Sequence, residues 1–349
     1  MNADAKTSIE LPVAVPPLVS FPFIANSLSV LFAYKDSTLP WFSDRYIQLV
    51  INKDITKGHD LVNFYDTCGS NNINTVDYCP FFISQRIDGL VKNQSFDKFA
   101  DFAIEQLNCG YYIHVLLNQR DIESSLNESS HQTFLYGYDS RNKKIMMNYF
   151  DRLGRYFMNH IVGYDEVDDS FKNRKMDKND VKYKKFITLL KYNDYDYTIN
   201  LELMNLSIRD YRYSKDSMLK WNYAFKERND YVFGLDYYNV LVEHCKLRKI
   251  HLEAKAFHVL YEHKLAMKIR LKYLNSIGFI SDLLYEKIND YCEKLVKQSL
   301  ALRNYAIKYK LCGDSNDEND KHLNVLLKEC SDLYRLDKDF TVDLIFLLS

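Results

Sequence analysis

The run from Cys109 to Phe150 limits the possible folds more than any other part of this chain. Thr133, Leu135 and Gly137 alternate with Phe134, Tyr136 and Tyr138, the two-residue period of a strand that buries one face. Asp139-Ser140-Arg141-Asn142 follows, and short polar side chains that bond their own backbone make it a turn. Lys144 to Phe150 then resumes as a second strand, so the two predict an antiparallel hairpin. Cys109 to Leu117 reads as a third strand.

That hairpin carries chemistry at its open end. His131 begins the first strand and Asn148 lies late in the second, and we read them as neighbours across the ladder. An amide beside an imidazole fixes the ring's tautomer through one nitrogen and leaves the other to act on a substrate. Asp139 and Asp151 are alternative orienters, although the turn position of Asp139 favours a structural role.

Gly110-Tyr111-Tyr112-Ile113, then His131 ahead of Tyr136-Gly137-Tyr138-Asp139, then Phe150-Asp151-Arg152-Leu153-Gly154-Arg155-Tyr156 resembles the butirosin-biosynthesis protein H-type family. These are papain-like relatives of the peptidases that process double-glycine leader peptides. The similarity runs from residue 10 to 165 and more loosely to 275, through Asp210-Tyr211-Arg212-Tyr213-Ser214 and the segment Tyr261 to Leu271. It implies an α+β papain-like (cysteine-proteinase) domain, its central helix packed on an antiparallel sheet, with a helical C-terminal domain. It also implies an amide-forming acyltransferase of thiotemplated natural-product (antibiotic) biosynthesis, closthioamide-type assembly being one version. The partners would be an acyl or peptidyl carrier protein and a small amine or acyl substrate. No cofactor is implied beyond the carrier's phosphopantetheine arm, which delivers the thioester.

One departure bears directly on mechanism. The family's nucleophilic cysteine opens the first long helix in a Cys-x-x-Ala-x-x-x-x-x-Leu frame, where exposed amides and the helix dipole favour a thiolate. Pro22 fills that place here, ahead of Ala25 and Leu31. Proline suits a first helical turn but cannot attack a carbonyl. Ser20 is the nearest hydroxyl and reads equally as the helix N-cap; Cys68 and Cys79 are second choices for a nucleophile. A thioester is already activated, so a positioned amine, a base such as His131 and donors for the oxyanion suffice without a covalent step. Two other classes remain open: an inactive papain-like homologue that binds a carrier-bound acyl or peptide intermediate, and a cysteine or serine peptide hydrolase.

Composition narrows the rest. A net charge of −1 argues against a nucleic-acid binder, whose affinity needs a basic footprint. Basic residues outnumber acidic ones between Glu243 and Lys310, among them Lys246, Arg248, Lys249, Lys264, Lys268, Arg270 and Lys272. That excess predicts either a docking face for an acidic carrier protein or ordinary solvated helices. Seven scattered cysteines and the absence of a long apolar run predict a cytoplasmic protein without a membrane partner. The sequons at Asn93, Asn127 and Asn205 then carry no glycan. His258 and His263, five apart, and His244 and His251, seven apart, lack the i, i+4 spacing that grips zinc, so no metal is expected; His114 and His160 sit on strands and line the site or the core.

Hydrophobic patterning predicts a buried helix over Phe23 to Tyr34 and an amphipathic one over Phe96 to Leu107. His160 to Tyr164 reads as a strand, and Lys184 to Leu190 with Tyr195 to Leu201 as a hairpin across Asn193-Asp194. Asp165 to Lys182 is charged and reads as a helix or a lid. Helices are expected over Tyr231 to Cys245, Leu252 to Leu274, Ser281 to Leu311 and His322 to Leu333. The domains expected from this are a papain-like one over residues 1–170, a sheet extension over 171–215 and a helical domain over 216–349.

Overall fold

The computed structural model describes residues 7–56, 62–64, 79–88, 98–122, 130–151, 154–174, 186–217, 230–247, 250–312 and 316–348. Among them the chain is α+β, with an antiparallel sheet and several helices. It divides into two compact units, Met1–Thr38 with Asn72–Asp196, and Leu39–Asn71 with Tyr197–Ser349. The division therefore crosses the chain three times, and residues 39–71 belong with the helical unit instead of the N-terminal domain.

In the first unit seven strands make one sheet. β5 (Tyr112–Asn118) is buried at every position, because both its faces are covered. It pairs with β6 (Ser130–Asp139), from Ile113 opposite Leu135 to Asn118 opposite Ser130. β7 (Lys144–Phe150) returns antiparallel along the other side of β6, and β8 (Tyr156–Gly163) follows it at the sheet's edge. The turn forms as its sequence predicts: the Asp139 carboxylate accepts from Arg141 N–H at 2.9 Å and from Asn142 Nδ2 at 2.6 Å. Asp139 is thus spent on the turn.

The predicted hairpin after Lys184 does not form. β9 (Phe186–Tyr192) instead lies between β5 and β4 (Phe82–Asp88), antiparallel to both. Asn193 explains the change, since its N–H donates to Phe81 O at 2.9 Å and its Nδ2 to Pro80 O at 2.9 Å, tying the end of β9 to the start of β4. Asn200 then caps the next helix by accepting from Leu203 N–H at 2.9 Å. A short strand β1 (Ser8–Glu10) pairs with the end of β6, where a Cβ on Gly137 would meet Ile9 O at 2.7 Å; only glycine lets those backbones approach.

One sheet face packs on α3 (Phe99–Asn108) and α5 (Tyr164–Lys172), through Phe99, Ala103, Leu107, Val115, Leu135, Met147, Val167 and their neighbours. Phe99 and Phe171 stack at 4.0 Å, and the Asp168 carboxylate on α5 accepts from Ala100 N–H at 2.7 Å, supplying from another helix the cap that α3 lacks. α4 (Gln119–Ile122) is a single turn after β5, and α5 occupies the start of the charged stretch after Tyr164. α1 (Pro22–Ala33) contacts β6 and β7 and buries every residue from Ile24 to Leu31, matching the buried helix expected there.

The second unit joins a three-stranded sheet, β2 (Leu49–Asn52) between β3 (Val62–Phe64) and β10 (Tyr231–Phe233), to helices α6 (Leu201–Arg212), α7 (Tyr237–Lys246), α8 (Ile250–Ser276), α9 (Asp282–Cys312) and α10 (Asn316–Leu347). The last helix continues 14 residues beyond the predicted end at Leu333, because Leu333, Phe340 and Leu344 keep one buried stripe. α2 (Lys35–Ser43) straddles the division between the units.

Gly234, just before α7, has a φ of +56°, and a Cβ there would lie 2.0 Å from Tyr211 O. Left-handed backbone and a blocked Cβ combine, so Gly234→Ala should destabilise the second unit by more than about 2 kcal/mol. Urea unfolding followed by circular dichroism checks this; an unchanged midpoint refutes it.

Candidate functional site

The opening of α1 is built from Ser20-Phe21-Pro22-Phe23. Pro22 occupies the first helical turn, and the N-cap position belongs to Phe21, whose extended backbone (φ −136°) brings no side-chain cap. Ser20 is half-buried one residue before that N-cap position. A helix N-terminus is receptive to developing negative charge, and α1 opens beside this residue.

His114 on β5 packs its ring against Phe23 in that first turn, centroids 4.0 Å apart. It lies opposite Phe134, and Phe134 lies opposite Asn148, so His114, Phe134 and Asn148 form one row across three strands. Residues paired in register share a face, and this row lies on the face that α1 covers.

His131 is half-buried at the start of β6, opposite Leu117. Its imidazole lies 6.0 Å from the Phe150 ring and close enough to His114 for each charge to oppose the other. Phe150 in turn meets Tyr156 at 4.9 Å, and Tyr156 donates its hydroxyl to Asn26 Oδ1 on α1 at 3.1 Å. One chain of contact thus connects His131 with α1, through Phe150 and Tyr156 to Asn26.

Asn148 is not across from His131. The β6–β7 ladder puts it opposite Phe134, three residues further along, and it is fully buried. Its Oδ1 accepts from Asn159 N–H at 3.2 Å. Asn159 adopts a φ of +60° where the β7–β8 register shifts between Met147 and Tyr149, and its own Oδ1 accepts from Tyr136 OH at 2.9 Å. Asn148 therefore holds a β-bulge in place. Asp151, the remaining orienter, accepts from Arg155 N–H at 2.8 Å and pairs with the Arg155 guanidinium at 2.7 Å, which closes the turn into β8.

His114 is the residue that sequence reasoning left in the background. Its ring is buried with no hydrogen-bond partner for Nε2 among the described residues. Burial, with a smaller contribution from the charge of His131, pulls its pKa down to about 3. The sequence put His114 on a strand, but only the structure shows it packed on Phe23 in the first turn of α1. Among the cysteines, Cys79 is buried and Cys109 exposed, and Cys68 lies outside the described residues. His160 meets Tyr149 on the sheet, centroids 4.9 Å apart.

Part of the basic excess in the helical unit is engaged. Lys264 and Arg270 are fully buried, Lys268 pairs with Glu293 at 2.5 Å and Lys246 with Glu243 at 2.7 Å. His258 pairs with Glu262 on the same helix at 3.2 Å. Among the described residues no three His, Cys, Asp or Glu side chains gather where they could hold a metal ion, and no helix is long and apolar enough to cross a membrane. The sequence matches no protein-family model, and no curated protein matches it.

The depressed pKa of His114 has a definite sign in stability. Above pH 6.5 the ring is neutral folded and unfolded; as pH falls towards 3 the unfolded chain binds a proton that the folded ring refuses. Stability is thus lost on acidification through that window, at up to about 1.4 kcal/mol per pH unit. His114→Gln should remove about one proton's worth of this slope in urea unfolding between pH 6.5 and 4.5. An unchanged slope contradicts the assignment. Asn148→Ala should cost about 1–3 kcal/mol at pH 7 by leaving the bulge amide of Asn159 unmatched, measured in the same assay; a neutral effect refutes that role.

Proposed function

We propose that this chain is a papain-like acyltransferase that moves an acyl group from a carrier-protein thioester to an amine in thiotemplated, cytoplasmic natural-product assembly. The observation that carries this reading is the placement of His131. Its half-buried imidazole, near the start of β6, is linked through Phe150 and Tyr156 to Asn26 on the buried α1.

The division of labour follows from chemistry. The amine must lose a proton as it attacks, and His131 is the base. The thioester carbonyl gains negative charge as it is attacked, and the opening amides of α1 face that charge. The carbon–sulfur bond then breaks, returning the phosphopantetheine thiol to its carrier. With Pro22 in the nucleophile's place, the amine attacks the carrier thioester directly, and Ser20 need not be acylated. Acyl donor and carrier recognition rest on the family resemblance.

A second reading, an inactive homologue that binds the carrier-bound intermediate, is favoured by two details: proline stands where the thiol would be, and the Asn148 oxygen serves the Asn159 bulge. Reconstitution with acyl-loaded carrier protein and an amine separates the two. On the acyltransferase reading, His131→Ala lowers the rate of amide formation by about 100-fold or more while the urea midpoint stays within about 1 kcal/mol of wild type. Amide formation unaffected by that substitution sinks the assignment of His131. Carrier binding without any amide, in the wild type, establishes the inactive reading.

A further inference from the structure

Two sequence motifs that the proposed chemistry does not use, the one around Tyr211 and the one from Tyr261 to Leu271, meet inside the second unit. α6 brings Tyr211, α7 brings Tyr238, α8 brings His263, Lys264 and Arg270, and α10 brings Asp337, all buried. The Lys264 ammonium donates to Asp337 Oδ2, to Tyr211 OH at 2.9 Å and to His263 Nδ1 at 3.0 Å. An ammonium has three donors, so each is used. Tyr211 and Tyr238 add their hydroxyls to the same Asp337 oxygen, at 2.5 and 3.0 Å.

The other ring nitrogen of His263 lies 2.7 Å from Ile47 O. A carbonyl only accepts, so Nε2 carries the proton and Nδ1 is the bare acceptor that Lys264 requires. A second proton at Nδ1 would point an N–H at the ammonium. Two turns along α8, Arg270 donates from Nε to Ser43 O at 2.7 Å and from Nη2 to Arg45 O at 2.6 Å. α8 therefore holds three alternate carbonyls, those of Ser43, Arg45 and Ile47, along the segment that leads from α2 into β2.

We propose that His263 and Lys264 form an acid-sensitive latch, in which the His263 ring accepts a second proton, and so a second cation beside Lys264, only when the segment from Ser43 to Ile47 has come away from α8. The groups around the ring come from every element packed against it. Tyr211 packs on it at 4.6 Å from α6, and Tyr238 from α7 is bound to Asp337. On α8 itself Lys264 and Arg270 are cations, and Glu262 is taken by His258. Cys292 on α9 is held protonated by burial, its pKa raised to about 12. Asp337 on α10 takes three donors on Oδ2, and its buried Oδ1 has no hydrogen-bond partner among the described residues. From the segment, the Asp44 carboxylate accepts from Tyr197 OH at 2.6 Å and Asn200 N–H at 3.1 Å. Two adjacent cations would share one carboxylate.

His263→Gln tests this in the full chain, because a carboxamide can donate to Ile47 O and accept from Lys264 but does not titrate. Residue-resolved hydrogen exchange, corrected for intrinsic rates, is recorded between pH 7 and 5. In the wild type, protection of amides 43–47 should fall up to about tenfold per pH unit below 6.5, and in the Gln variant it should not. An equal fall in both overturns the latch. Should the variant fail to fold, 15N-histidine NMR of the wild type decides: His263 keeps a bare Nδ1 until the segment loses protection. A ring that gains its second proton while the segment stays protected overturns the proposal as well.

Discussion

Everything in the first unit depends on the antiparallel register of β5, β6 and β7. Once Ile113 pairs with Leu135 and Leu135 with Met147, the side chains sort onto two faces with no further freedom, since a one-residue slip would send each to the opposite face. One face becomes the apolar core under α3 and α5. The other receives α1 and carries a row of mixed character, His114, Phe134 and Asn148, which a purely structural helix–sheet interface does not need. Polar groups at that depth cost stability unless bonded; Asn148 is bonded through the bulge, whereas His114 stays neutral instead.

The hairpin was legible because three signals agreed: a period of two, a turn rich in Asp, Ser and Asn, and a resumed apolar strand. α1 was legible because proline and a run of apolar residues mark both its start and its burial. The pairing of His131 with Asn148 was misjudged for a countable reason. Working outward from the turn, Asp139 meets Lys144 and Tyr138 meets Ile145, and a shift between Leu135 and Gly137 then brings Asn148 to Phe134. β6 has ten residues and β7 seven, so His131 extends past its neighbour's end. The second bulge, at Asn159, rests on one non-glycine residue with positive φ, which no local pattern announces.

The helical unit hid more. His263, Lys264 and Arg270 look like a solvated basic face in sequence, and only the return of α10 reveals the carboxylate that draws Lys264 inward. Such a buried pair adds little net stability compared with apolar packing, yet breaking it is costly, which makes it suited to fixing one arrangement of four helices. The membership of residues 39–71 in that unit was equally hidden, because it depends on β2 pairing with β10, from Asn52 to Tyr231, about half the length of the chain away. Long-range pairing of this kind leaves no periodic trace.

The functional account stands or falls on whether an amide is made without an acyl-enzyme. Intact-protein mass spectrometry during turnover of acyl-loaded carrier with an amine tests it most directly. The account predicts that the amide accumulates, the carrier returns as free thiol and the mass of this chain never shifts. Free acid as the product, or an acyl adduct that forms and decays at the rate of turnover, would contradict it.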